Sequence, residues 1–242
     1  MKAYTVLLSF CLLLACSKKP DQFMIKDPST PPAITNTPNS ALPTYLALGD
    51  SYTIGESVPE KESFPFQLVA QLKTAGFNFS TPKIVAKTGW TTGELQTAIK
   101  AENLSSNYDI VTLLIGVNNQ YRGDSQTQYK KEFVELLNAA IGFAKGNKSR
   151  VFVVSIPDWG VTPFGKGSGR NIQTIAAEID AFNAINKQET LAAGVSYTEI
   201  TTASRNAFTD VKLVANDGLH PSGKMYADWA AKVSSAVVNA LK

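Results

Sequence analysis

Ile110-Val111-Thr112-Leu113-Leu114-Ile115, followed by Gly116-Val117-Asn118-Asn119, decides the fold of this chain. Five of the first six side chains are aliphatic and Gly116 ends the run. A strand with one wet face would alternate. An unbroken apolar run of this length reads as a central strand covered on both faces, the habit of parallel sheets. Working outward, Tyr45-Leu46-Ala47-Leu48 before Gly49, Lys83 to Lys87, Val151 to Val154, and Val195 to Ile200 read as four further strands.

Helical spacing fills the intervals. Phe64, Leu68, Leu72 and Ala75 form a stripe that stops at Gly76, and a second helix runs from about Thr92 to Ala101. Tyr129, Phe133, Leu136, Leu137, Ala140 and Ala144 share one face, as do Ile172, Ile175, Ile179, Phe182 and Ile185. The last helix is expected to begin at Pro221 and to bury Met225, Trp229, Val233 and Val237, since proline suits a first helical position. Strands alternating with helices give an α/β domain with a mostly parallel sheet between helical layers. Ligands of such sheets bind beyond the carboxyl ends of the strands.

The N-terminus reads differently. Lys2 and the apolar run from Val6 to Ala15 are too short for a bilayer-spanning helix, which needs about 20 residues, and read as a secretory signal peptide over residues 1–15. Leu13-Leu14-Ala15-Cys16 resembles a bacterial lipobox, so lipidation is expected at Cys16, with export and anchoring to a bacterial membrane, periplasmic or cell-surface. Residues 16–43 carry Pro20, Pro28, Pro31, Pro32, Pro38 and Pro43 among Ser, Thr and Asn, and read as an extended tether ahead of a domain over 44–242. The two cysteines, Cys11 and Cys16, and the single histidine exclude zinc and iron–sulfur sites, so neither metal nor cofactor is expected. A net charge of +3 without long basic runs argues against nucleic acid as a partner.

Three successive strand ends carry residues suited to acyl transfer: Asp50-Ser51, Thr88-Gly89-Trp90 and Gly116-Val117-Asn118-Asn119. In a parallel sheet their loops meet on one edge, and the loop of the only histidine, Asp217-Gly218-Leu219-His220, must reach the same edge. Ser51 is the candidate nucleophile, too weak at neutral pH without a base. His220 is the candidate base and acid. Asp217, three residues earlier, is the candidate partner for the second imidazole nitrogen. The N–H groups of Ser51 and Gly89 and the side-chain amide of Asn118 are the candidate oxyanion donors. Asp50 reads as a buried strand-end carboxylate bonded to backbone. Tyr52, Trp90, Tyr121 and Arg122 are expected near the site, and the long aromatic connection Ile156 to Arg170, which includes Gly165, Gly167 and Gly169, reads as a flexible rim.

From Tyr45 to the C-terminus the chain resembles the SGNH hydrolases, also called GDSL lipases/esterases. The four residues that mark that superfamily match Ser51, Gly89, Asn118 and His220, and its acid falls on Asp217. The resemblance implies a three-layer α/β/α sandwich with a five-stranded parallel sheet, no metal or cofactor, and hydrolysis of carboxylic esters through an acyl-serine. The first block carries Tyr52 where leucine is usual, and the third ends in Asn119 where aspartate is usual. The latter removes a carboxylate that organises the neighbouring loop. The substrate class stays open between a short acyl ester, an acylated glycan and a lysophospholipid. A non-catalytic glycan-binding lipoprotein and an acyltransferase using the same serine are the alternatives.

Overall fold

The computed structural model describes Met1 and residues 41–242. The expected signal peptide, Cys16 and most of the expected tether lie outside the described residues. Packing starts at Pro43 and Thr44: the Pro43 carbonyl accepts from the Ser80 N–H at 2.9 Å, and the Thr44 N–H donates to the Asp109 carboxylate at 2.7 Å.

Five strands form one sheet: β1 (Tyr45–Asp50), β2 (Lys83–Lys87), β3 (Ile110–Leu114), β4 (Val151–Val154) and β5 (Ser196–Thr198). Their spatial order is β2-β1-β3-β4-β5, and every neighbouring pair is parallel. All residues of β1, β3 and β4 are buried, whereas the edge strand β2 exposes Lys83 and Lys87 at its ends. Apolar runs therefore mark the centre of the sheet, and lysines blunt one of its edges.

The helices are α1 (Ser51–Ile54), α2 (Phe64–Thr74), α3 (Thr92–Ala101), α4 (Val117–Arg122), α5 (Gln126–Phe143), α6 (Pro163–Gly167), α7 (Ile172–Ala192), α8 (Thr201–Ser204) and α9 (Gly223–Leu241). On one side α2 packs against α9, and on the other α3, α5 and α7 pack in succession, which completes the three-layer α/β/α sandwich. The chain leaves β1 for β2 on one side, then crosses β1 to reach β3 on the other. Right-handed crossovers accordingly put α2 and α3 on opposite faces. The strand order reverses at β1, and a crevice opens outside the carboxyl ends of the strands at such a point.

Two expected boundaries move. Helix α9 starts at Gly223, because the Ser222 side chain caps it by accepting the Met225 N–H; Pro221 instead bridges Val214 in antiparallel fashion. Strand β5 is shorter than Val195 to Ile200, because the Ile200 and Thr201 N–H groups turn to the Ser155 hydroxyl at 2.8 and 3.1 Å.

Candidate active site

Ser51, Gly89 and Asn118 sit where a strand gives way to a helix or turn, and Asp217 and His220 sit in the loop before α9. Helix α1 follows β1 without a spacer, which forces a sharp turn at Gly49-Asp50-Ser51. A Cβ at position 49 would collide with Thr53 and the Leu114 carbonyl, so glycine is required there. Asp50 caps α1 by accepting the Tyr52 N–H at 3.0 Å. It is fully buried, and its Oδ2 has no hydrogen-bond partner. Burial pushes its carboxyl up to about 7 against the lowering effect of the Tyr52 bond. This is the structural carboxylate expected from sequence. Ser51 opens α1, so its N–H is among the donors that a helix start leaves without an intrahelical partner.

The second loop turns at Gly89, whose φ of +85° is costly for other residues. The hydrogen bond of this turn runs from the Trp90 N–H to the Lys87 carbonyl, leaving the Gly89 N–H out of it. The Gly89 carbonyl accepts from Arg122 Nη2 at 2.6 Å, and Glu94 pairs with Arg122 at 3.2 Å. The third loop begins α4. Asn118 Nδ2 donates to the Trp90 carbonyl at 3.0 Å, which orients the amide and leaves its second N–H free for a ligand.

Asn119 does not loosen this region. It is 1% exposed, its Oδ1 accepts the Thr92 N–H at 3.0 Å, and its Nδ2 donates to Thr92 Oγ1 and Asp124 Oδ2 at 2.9 and 3.0 Å. The amide oxygen does what a carboxylate oxygen would do for the start of α3, and Asp124 supplies the carboxylate from the next turn.

His220 Nδ1 lies 2.6 Å from Asp217 Oδ2. Asp217 Oδ1 accepts the Leu219 and His220 N–H groups at 2.9 and 3.0 Å, which folds the carboxylate back onto the ring three residues on. Partial burial raises the Asp217 carboxyl, but hydrogen bonds from His220, the Leu219 N–H and Ser57 outweigh it and hold the group well below the usual carboxylate range. The bridge between Val214 and Pro221 and the 2.7 Å bond from the Ala215 N–H to the His220 carbonyl fix the histidine backbone. Tyr52 meets the imidazole edge-on with 5.7 Å between centroids, so the tyrosine that replaces leucine forms the floor beneath the ring.

Ser51, Gly89, Asn118 and His220 line one cavity of about 240 Å³, together with Tyr52, Thr88, Val117, Tyr121, Trp159, Phe164 and Leu219. The hydrogen bonds of the described residues include none between Ser51 and His220; such contacts commonly tighten when substrate binds. Trp90 and Arg122 do not line the cavity and act on it through Asn118 and Gly89.

The segment after β4 is not a flexible rim. Trp159 is 2% exposed, and its indole N–H donates to Gln120 Oε1 at 2.8 Å. Thr162 caps α6, and the Phe164 N–H donates to the Gly218 carbonyl at 2.9 Å, tying this segment to the histidine loop. A Cβ on Gly165 would collide with the Trp159 carbonyl, so this glycine serves close packing. Gln120 and Ser57 carry no sequence signal as site residues, because their partners lie 39 residues away or more in sequence, whereas Trp159 falls in the aromatic connection expected to shape the site.

The chain matches the model of the GDSL-like Lipase/Acylhydrolase family over residues 47–227. No curated protein matches it. Among solved structures it is similar to a lipase from a goat rumen metagenome (TM-score 0.65, 18% identity, covering 80% of this chain and 97% of the other). It is also similar to a lipase/acylhydrolase from Enterococcus faecalis (0.63, 16%, 82% and 96%). A third is an acetyl-xylooligosaccharide esterase from Geobacillus (0.60, 16%, 81% and 94%). At these identities the likeness is one of fold.

Proposed function

We propose that this chain, which belongs to the GDSL-like lipase/acylhydrolase family, is a serine esterase that cleaves short acyl or acetyl esters through an acyl-enzyme. The observation that carries this reading is the 2.6 Å contact between His220 Nδ1 and Asp217, with the same histidine lining one cavity with Ser51, Gly89 and Asn118.

The chemistry follows from these positions. His220 Nε2 takes the Ser51 proton as Oγ attacks the ester carbonyl carbon. The carbonyl oxygen gains the charge and is met by the N–H groups of Ser51 and Gly89 and by the free N–H of Asn118. Asp217, kept ionised, stabilises the imidazolium. The C–O bond to the alcohol then breaks, His220 hands its proton to the departing oxygen, and the acyl group remains on Ser51. Water repeats the sequence, giving up a proton to His220 and releasing the acid.

Short acyl groups are favoured because Val117, Tyr121, Trp159, Phe164 and Leu219 wall the cavity and little polar surface is left for a sugar. Acetyl esters of glycans fall within this class if the glycan stays outside the cavity, as the alcohol part.

Hydrolysis of p-nitrophenyl acetate and butyrate tests the reading, beside Ser51→Ala and His220→Ala. Activity lost in both variants, with fluorophosphonate labelling of Ser51 that needs His220, supports it. A folded wild-type protein that neither hydrolyses nor labels overturns it in favour of a binding protein. The Leu13-Leu14-Ala15-Cys16 stretch further supports export and lipid anchoring at Cys16. Cys16→Ala is expected to move the protein from the membrane fraction to the soluble one.

A further inference from the structure

Beyond Asp50, Ser51 and Tyr52, the segment that leaves α1 makes two contacts that the reaction above does not use. Glu56 accepts a hydrogen bond from Thr88 Oγ1, the residue before Gly89. Ser57 Oγ donates to Asp217 Oδ2 at 2.7 Å, the same oxygen that His220 Nδ1 approaches at 2.6 Å. The segment is itself tied to the nucleophile, since the Gly55 and Glu56 N–H groups both donate to the Ser51 carbonyl at 3.1 Å. Two adjacent side chains thus join the nucleophile turn, the oxyanion loop and the acid loop.

Ser57 makes its contact at a conformational cost. Its φ is +65°, in the left-handed region, where non-glycine residues are uncommon and strained. Among the described residues the only other non-glycine case is Lys145, just past the end of α5. Glycine would relieve the strain but has no hydroxyl to offer. A strained residue beside reacting groups, bonded to one of them, points to a role for the side chain.

We propose that Ser57 is a positioning residue for the Asp217–His220 pair, holding the Asp217 carboxylate in the plane and charge state from which it supports the imidazole. The proposal rests on the serine-esterase reading for its effect on rate, but not for its effect on the histidine. Sharing Oδ2 between two donors draws charge from the oxygen that holds the imidazole proton. Around this pair Ser57 and Glu56 follow α1 and Tyr52 packs against the ring, while the carboxylates of Asp50 and Asp158 bear on the Tyr52 hydroxyl. None of the others donates to Asp217 Oδ2.

Ser57→Gly removes the hydroxyl and the strain together, and Ser57→Ala removes the hydroxyl alone. In Ser57→Gly the melting temperature is expected to stay level or rise while kcat falls by about three- to ten-fold, the rate equivalent of an ordinary net hydrogen bond, with KM unchanged. The chain has one histidine, so the low-field Nδ1–H proton resonance is unambiguous, and it should move further downfield. Wild-type kcat or an unmoved resonance in Ser57→Gly overturns the proposal, as does a change confined to KM. Should Ser57→Ala fail to fold, Ser57→Gly decides alone. Should the wild type cleave no ester, the esterase reading fails and the resonance still decides the role of Ser57.

Discussion

Asn119 donates to Asp124 across 3.0 Å, so the carboxylate that this loop needs sits one helical turn beyond its usual place. The amide and the acid together do what a lone aspartate would do beside the start of α3. The pair needs one donor and one acceptor, which an amide facing a carboxylate supplies.

Asn119→Asp therefore sets a buried carboxylate against that of the exposed Asp124 and removes the donor to Thr92. It is expected to cost about 1–3 kcal/mol at neutral pH, the range for an unsatisfied buried polar contact, and less in mild acid where one of them is protonated. The double change Asn119→Asp with Asp124→Asn restores a donor and an acceptor in reversed order. Thermal denaturation of the two variants at pH 7 checks this. Equal melting temperatures for them would show that the loop does not depend on the pair.

Asn118 has a different task. Its anchoring bond goes to the Trp90 carbonyl, an exchangeable partner near solvent, so Asn118→Ala should leave the melting temperature nearly unchanged. The lost donor should lower kcat for p-nitrophenyl butyrate by roughly 100- to 1,000-fold with little effect on KM, because an oxyanion exists only in the transition state. Steady-state kinetics separates this from a binding defect, which would raise KM.

Asp50 gives the fold a pH dependence of definite sign. Its folded value of about 7 lies above the usual value of about 4 for an unfolded aspartate. Between these the native state keeps a proton that the unfolded chain releases, so this residue lowers stability as pH rises from about 4 to 7, levelling off above. The ceiling is about 4 kcal/mol at 1.4 kcal/mol per pH unit. Asp217, whose carboxyl is depressed, acts oppositely: its contribution is present above about pH 4 and is lost as pH falls below that. Asp50→Asn keeps an oxygen for the Tyr52 N–H and removes the titration. Urea midpoints at pH 5 and pH 8 should converge in the variant relative to wild type.

What could be read in advance tracks the range of the interactions. The buried strands β1, β3 and β4 announce themselves because burial on both faces removes the polar–apolar alternation, leaving only Thr112 and the strand-end Asp50 among apolar and glycine positions. Asp217 and His220 are legible because their contact is local, three residues along one turn. Ser51, Gly89 and Asn118 are brought together by parallel strand order, a rule simple enough to apply without coordinates. Ser57 was invisible, since a serine after a helix has many uses and its partner lies 160 residues on. The Ile156 to Arg170 segment departs from expectation because Gly160 and Gly165 serve close packing while Gly167 and Gly169 face open space, and glycine content alone does not distinguish the two. At Pro221 a general preference lost to a specific one, the Ser222 cap.

Trp159 sets the depth of the cavity. With Tyr52, Leu219 and His220 it lines both the space in front of Ser51 and a smaller void bounded by Pro157, Thr162, Leu213 and Met225. Gln120 holds the indole edge, Arg170 lies 5.6 Å above the ring, and Tyr121 and Phe164 pack at its margins, so the side chain has little freedom to swing aside for a longer acyl group. Trp159→Leu keeps the wall apolar while joining the two spaces. Wild-type kcat/KM is expected to decline from butyrate to octanoate in a p-nitrophenyl ester series. In the variant the octanoate-to-acetate ratio should rise by about ten-fold or more, given 1–3 kcal/mol for each methylene newly accommodated. Acetate turnover should change little, because the groups around Ser51 are untouched. A parallel loss for all chain lengths would mean that the indole supports the site without measuring the acyl group.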